Sequence, residues 1–144
     1  MAGQIIFKVL PDFKITLVYY RGTIDVQLLK NHLVKMTASE NYNPEFNAVT
    51  DFGNCDFNIT NQELAAVADH IKQASGVLGK RQHAFISRKP KQQVLSSLFS
   101  MLMGSVPVGF NVVESKREAF EFVGVKPKHQ KLVRDEFKSL AKQS

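Results

Sequence analysis

Between Phe46 and Ala68 the chain reads Phe-Asn-Ala-Val-Thr-Asp-Phe-Gly, Asn-Cys-Asp-Phe-Asn, then Ile-Thr-Asn-Gln-Glu-Leu-Ala-Ala-Val-Ala. The first part is a short apolar run ending at Asp51 and Gly53, the pattern of a strand covered on both faces that stops at the carboxyl edge of a sheet. The last part opens a helix, because Thr60 followed by Glu63 makes a capping box ahead of Leu64, Val67 and Ile71. Strand, polar loop and capped helix in that order call for an α/β fold. They put the loop at the C-terminal sheet edge, where open α/β sheets carry functional groups.

The rest of the chain repeats the alternation. Gln4 to Leu10 and Ile15 to Tyr20 are β-rich runs either side of Pro11-Asp12-Phe13-Lys14, which predicts a hairpin. Thr16, Val18 and Tyr20 alternate with Ile15, Leu17 and Tyr19, so one face of the second strand is expected to be the more polar one, near a sheet edge. Thr23 or Asp25 caps a helix carrying Val26, Leu29, Leu33 and Met36, which ends in the stretch Ala38 to Glu45. The capped helix from Asn61 to about Ser75 is expected to stop at Gly76 and Gly79. A strand at His83 to Ser87, a helix from about Lys91 to Met103 and a strand at Val108 to Val113 follow. Ser115 and Glu118 form a second capping box, opening a helix that Gly124 stops, and Val133, Phe137 and Leu140 mark a tail helix. The order predicts a mixed, mostly parallel five-stranded sheet with helices packed on it, an opening hairpin and an extra C-terminal helix. Residues 1–125 read as one domain and 126–144 as a basic helical extension. The tail's apolar face needs a surface, either the chain's own sheet or helices or a second copy in a homodimer.

Composition narrows the function classes. With 44% apolar and 22% charged residues in 144, the chain has room for one ordinary core. No run approaches the roughly 18 consecutive apolar residues of a membrane span. The N-terminus lacks the features of a secretory leader, and the single Cys55 excludes an internal disulfide or a multi-cysteine metal site. A cytoplasmic location is expected. The net charge of +6 gathers in Lys80, Arg81, Arg88, Lys89 and Lys91 and in the tail, where six Lys/Arg meet Asp135 and Glu136. Such a balance suits nucleic acid, an anionic surface, an acidic protein, or solubility alone. No aromatic residues interleave with those lysines, so nucleic acid ranks last.

Several stretches together resemble the SpoIIAA-like branch of the STAS fold, in particular its bacterial single-domain proteins of uncharacterised function. They are Tyr20-Arg21-Gly22-Thr23-Ile24, Asn43-Pro44-Glu45-Phe46-Asn47 leading into Val49-Thr50-Asp51-Phe52, and Asn58-Ile59-Thr60-Asn61-Gln62-Glu63-Leu64. Gly79-Lys80-Arg81-Gln82-His83-Ala84-Phe85-Ile86 with Lys89-Pro90, and Val113-Glu114-Ser115-Lys116-Arg117-Glu118-Ala119-Phe120, complete the set, over residues 4 to 124. The resemblance implies a five-stranded SpoIIAA-like sheet and a protein-interaction or regulatory role. Phosphorylated antagonists of that fold carry Asp-Ser-Ser-Gly at the helix start after the Asp-ending strand. Here those places hold Ile59-Thr60-Asn61-Gln62, which lack the acid, the second serine and the glycine, so no phosphoserine switch is expected.

Residue chemistry offers no catalytic set. Asp51 reads as a strand-end carboxylate bonding nearby backbone N–H groups, and Asp51 with Asp56 makes too few ligands for a cation. Cys55 reads as an inert filler, and His32, His70, His83 and His129 are scattered along the chain. GxSxG, HExxH and a phosphate-binding glycine loop are absent, so neither an enzyme nor a bound metal or cofactor is expected. The candidate binding residues are Asp51, Asp56, Phe57, Thr60 and Asn61 on the loop, with Phe99 and Met103 on the wide apolar third helix. Three readings follow in order: a module that presents the Phe57–Glu63 loop and the Leu95, Phe99, Met101, Leu102, Met103 surface to an unknown protein partner; a small apolar-ligand module similar in topology to CRAL-TRIO lipid carriers, which a closed apolar cavity would support; and a nucleic-acid or anionic-surface binder.

Overall fold

The computed structural model describes residues 2–74 and 77–143; Ser75 and Gly76, which include one of the expected helix stops, lie outside them. Strand β1 (Gln4–Leu10) turns through a single 3-10 turn at Pro11–Phe13 into β2 (Ile15–Arg21), with Lys14 in the left-handed conformation at φ 51°. A short strand β3 (Thr23–Asp25) leads into α1 (Val26–Thr37), whose first turn is capped by Asp25 accepting from the Leu28 N–H at 2.8 Å. Then come β4 (Asn47–Asp51), β5 (Asp56–Asn58), α2 (Asn61–Gln73), β6 (Arg81–Ile86), α3 (Pro90–Leu102), β7 (Val108–Val113), α4 (Lys116–Phe122) and α5 (Pro127–Ala141).

Among the described residues the main sheet has five strands in the order β1-β2-β4-β6-β7, antiparallel at β1–β2 and parallel elsewhere. The parallel strands advance one place at a time in one direction. Right-handed crossovers therefore lay α1, α2 and α3 all on the same face. The opposite face carries Leu17, Val49, Ala84 and Ile86, and α4 and α5 cover it with Phe120, Val133, Phe137 and Leu140. The chain thus has the mixed, mostly parallel sheet that its alternation predicted.

Two local expectations are corrected. The polar alternation of β2 does not mark a solvated face: Thr16, Val18 and Tyr20 are as buried as Ile15 and Leu17, because helices cover both sides of the strand and β1 is the edge. Asp56–Asn58 is not free loop, for it pairs in parallel with Thr23–Asp25 as a second, two-stranded sheet. Three residues per strand are too few to show an alternation in sequence.

The tail helix lies over the chain's own sheet. Val133, Phe137 and Leu140 are at most 1% exposed and belong to the same core as Leu17 and Val49, and the Phe120 and Phe137 rings stack at 6.2 Å. Phe137→Ala should therefore cost about 3–5 kcal/mol, as a truncated core aromatic does. Urea melts of both proteins measure this, and an unchanged midpoint would contradict docking of α5.

Candidate functional site

At the C-terminal sheet edge the residues singled out in sequence are tied to one another. Asp51, 2% exposed, accepts the Gly53 N–H at 2.8 Å and forms a two-pronged ion pair with Arg88, whose Nη2 lies 3.3 Å from Oδ2. Gly53 turns the chain at φ 53°, and a Cβ there would meet the Tyr19 hydroxyl at 2.8 Å. Gln92, 1% exposed, staples the loop: its Nε2 donates to the carbonyls of Gly53 (3.2 Å) and Cys55 (3.0 Å), and its Oε1 accepts from the Arg88 N–H (2.8 Å). Lys89 bonds the Asn54 carbonyl at 2.8 Å and Asp56 at 3.0 Å. Arg88 and Lys89 thus have acidic partners within the chain, which weakens the basic segment as a landing place for phosphates.

Phe57 is buried, with its ring edge-on to Phe52 at 5.2 Å and to Tyr20 at 6.0 Å, so it cannot be offered to a partner as the loop reading expected. Met103 is 1% exposed and Leu95 is 7% exposed, both turned inward, and Phe99 is half-buried edge-on to Phe85 and Phe110. Of that third-helix surface, Met101 stays exposed, together with Val94. Asn61 is exposed. Cys55 is fully buried, and burial pushes its thiol up to about 12, with Lys89 opposing and Asp56 adding to the rise, so it stays protonated and inert at neutral pH.

Thr60 caps α2. Its hydroxyl accepts from the Glu63 N–H at 3.1 Å while the Glu63 carboxylate accepts from the Thr60 N–H at 2.9 Å. Thr60→Ala should cost about 1 kcal/mol, measured as a lower urea midpoint, and a change near zero would show that the helix does not depend on this cap.

The cavity lies elsewhere, between the sheet and the three helices on its first-covered face. It has a volume of about 120 Å³. Its floor is two rows of cross-strand neighbours, Thr16–Ala48–His83–Phe110 and Val18–Thr50–Phe85. The small side chains of Thr16, Ala48 and Thr50 at the centre leave space that the larger rings beside them do not fill. Leu33 and Met36 of α1, Val67 and Ile71 of α2 and Phe99 of α3 form the roof. Phe85 and Phe110 stack 5.7 Å apart at 5°, and His83 stacks on Phe85 at 4.6 Å.

Set into this apolar lining are four polar atoms buried from solvent with no hydrogen-bond partner among the described residues: Thr16 Oγ1, His32 Nδ1, His83 Nδ1 and Arg81 Nε. The other nitrogen of His83 is bonded to the Thr50 hydroxyl at 2.9 Å. Burial lowers the pKa of His32 to about 4, Lys35 adding to the drop. Burial likewise holds His83 well below its ordinary value, helped by Arg81 and His32. Both rings are neutral at pH 7, each with one donor and one acceptor nitrogen. Sequence reading treated the histidines as scattered. The signal was there, since His32 shares a helix face with Leu29, Leu33 and Met36, and His83 shares a strand face with Phe85.

Neutral burial sets a pH dependence. Below about 6.5 the unfolded chain protonates these histidines and the folded chain does not, so stability present above that pH is lost as pH falls toward 4. Thermal melts should fall between pH 6.5 and 4.5, by up to about 1.4 kcal/mol per pH unit for each histidine. His32→Gln should flatten the profile, and an identical slope in the variant would contradict a neutral buried His32.

No protein-family model and no curated protein sequence matches the chain. Its structure is similar to the crystal structure of an uncharacterised protein of the DUF3478 family with a SpoIIAA-like fold from Shewanella loihica PV-4. The identity is 15%, the match covers 84% of this chain and 93% of that one, and the TM-score is 0.55. The chain therefore has the SpoIIAA-like fold. Among the described residues no helix is long and apolar enough to cross a membrane.

Proposed function

We propose that this protein is a non-enzymatic binding module of SpoIIAA-like fold whose site is the cavity between the sheet and α1–α3, and that it holds a small, largely apolar ligand there. The observation that carries the reading is the set of four buried polar atoms, without partners among the described residues, on side chains that line one apolar space. Each such atom costs about 1–3 kcal/mol if nothing satisfies it, a large share of a domain's usual 5–15 kcal/mol of stability. Water could satisfy the polar atoms but would leave the faces of Phe85, Phe99 and Phe110 wet. An apolar molecule with one or two polar atoms suits both parts of the lining. The volume resembles that of engineered apolar cavities of about 150 Å³ that admit benzene.

A protein-interaction or regulatory role ranks second. Its support is the exposed pair Val94 and Met101, seven residues apart on α3 and so on one helix face. Binding without turnover is favoured because Asp51, Cys55 and Gln92 are each engaged or inert.

Titration of isotope-labelled protein with 1-hexanol tests the ligand reading. Amide shifts are expected at Thr16, Thr50, His83 and Phe85. Ala48→Leu, which grows a side chain between Thr16 and His83, should abolish them while keeping the fold. No shifts in the wild-type protein with either 1-hexanol or its acid counterpart hexanoate, up to their solubilities, would overturn the reading.

A further inference from the structure

Strand β6 presents Arg81, His83 and Phe85 to the cavity, in steps of about 6.7 Å along one face. That is a cation, then a neutral hydrogen-bonding ring, then an aromatic ring. The cation lies at the N-terminal edge of the sheet, where the half-buried Tyr42, Phe46 and Leu78 also line the space. The far end, at Phe52 and Phe57, is apolar and closed by packed rings.

Arg81 is held in place by backbone. Its Nη1 donates to the carbonyls of Pro44 (2.8 Å) and Val77 (3.0 Å), and the Tyr42 hydroxyl donates to the same Val77 carbonyl at 3.0 Å. Those bonds fix the plane of the guanidinium and engage Nη1, and the Tyr42 hydroxyl also interacts with the group. Among the described residues its buried Nε has no partner and no Asp or Glu forms an ion pair with it. A partly buried guanidinium without a counter-charge is costly, and its open edge matches the two oxygens of a carboxylate. A doubly charged tetrahedral head would need more donors than one such edge and a neutral His83 provide.

We propose that the cavity's ligand is a small amphiphilic monocarboxylate, with its carboxylate on the Nε edge of Arg81 and its apolar tail running past His83 along Phe85, Phe99 and Phe110. This rests on the reading of the cavity as a ligand site and adds to it the chemical class of the ligand and the residue that selects it. Thr16 and His83 lie between head and tail and satisfy a carboxylate oxygen or a bound water beside it. The limited volume restricts the tail to a short chain or a single ring.

Hexanoate, 1-hexanol and acetate separate the possibilities by calorimetric or NMR titration of the full chain. Hexanoate should bind at least tenfold more tightly than either hexanol, which lacks the charge, or acetate, which lacks the tail. Arg81→Gln should reduce the preference for hexanoate over hexanol to within threefold. Because Arg81 also braces two loops, the wild-type protein supplies an independent reading: the Arg81 Nε–H resonance should shift with hexanoate and stay put with hexanol. Equal affinity for hexanoate and hexanol, or an unmoved Nε–H signal, overturns the carboxylate assignment and leaves the cavity reading standing. Acetate binding as tightly as hexanoate overturns the tail assignment. If neither six-carbon probe binds, the cavity reading fails and the proposal with it.

Discussion

Val49 and Thr50 are adjacent in β4, yet one belongs to the core under α4 and α5 and the other to the cavity floor under α1–α3. A parallel strand in the middle of a sheet has no solvated face, so each of its residues is committed to one of two interiors. The rest of the structure depends on filling both. On the α4/α5 side large side chains, Phe120 and Phe137 among them, meet Leu17, Val49 and Ile86. On the other side Ala48 and the two threonines are too small to reach the helices, and the gap between them is the cavity.

That asymmetry separates structural from functional polar groups. At the C-terminal edge, where open α/β sheets carry their sites, the polar groups satisfy one another: Asp51 with Arg88 and Gly53, Gln92 with two carbonyls and an N–H, and Thr60 with Glu63. Under α1–α3 the reverse holds. Thr16, His32, His83 and Arg81 sit among aromatic and aliphatic side chains with hydrogen-bonding capacity left over. Buried polar atoms without partners mark the places where a folded chain alone is an incomplete account of its own hydrogen bonds.

The SpoIIAA-like fold is shared with a protein only 15% identical in sequence. What passes between two such chains is the alternation of strands and helices and the burial of the sheet, both of which many sequences satisfy. Cavity polarity is a property of individual side chains and does not follow from the fold.

Local chemistry was legible in the sequence. The capping boxes at Thr60 and Ser115, the turn at Pro11–Lys14, the tail helix with Val133, Phe137 and Leu140 on one face, and the five main strands all follow from interactions within a few residues of chain. So did the structural role of Asp51 as an acceptor of nearby N–H groups, and the inertness of Cys55. The pairing of β3 with β5, the burial of Phe57 and the ion pair between Asp51 and Arg88 were not, because each joins residues far apart in the chain. The convergence of Thr16, His32, Arg81 and His83 was hidden for the same reason: β2 and β6 reach one site only once β4 pairs between them and α1 crosses over the sheet. Sequence determined where the helices and the five main strands form, since those depend on short-range periodicity. Tertiary packing alone decided that small residues on β2 and β4 would lie under α1, and so that four polar atoms would surround an unfilled space.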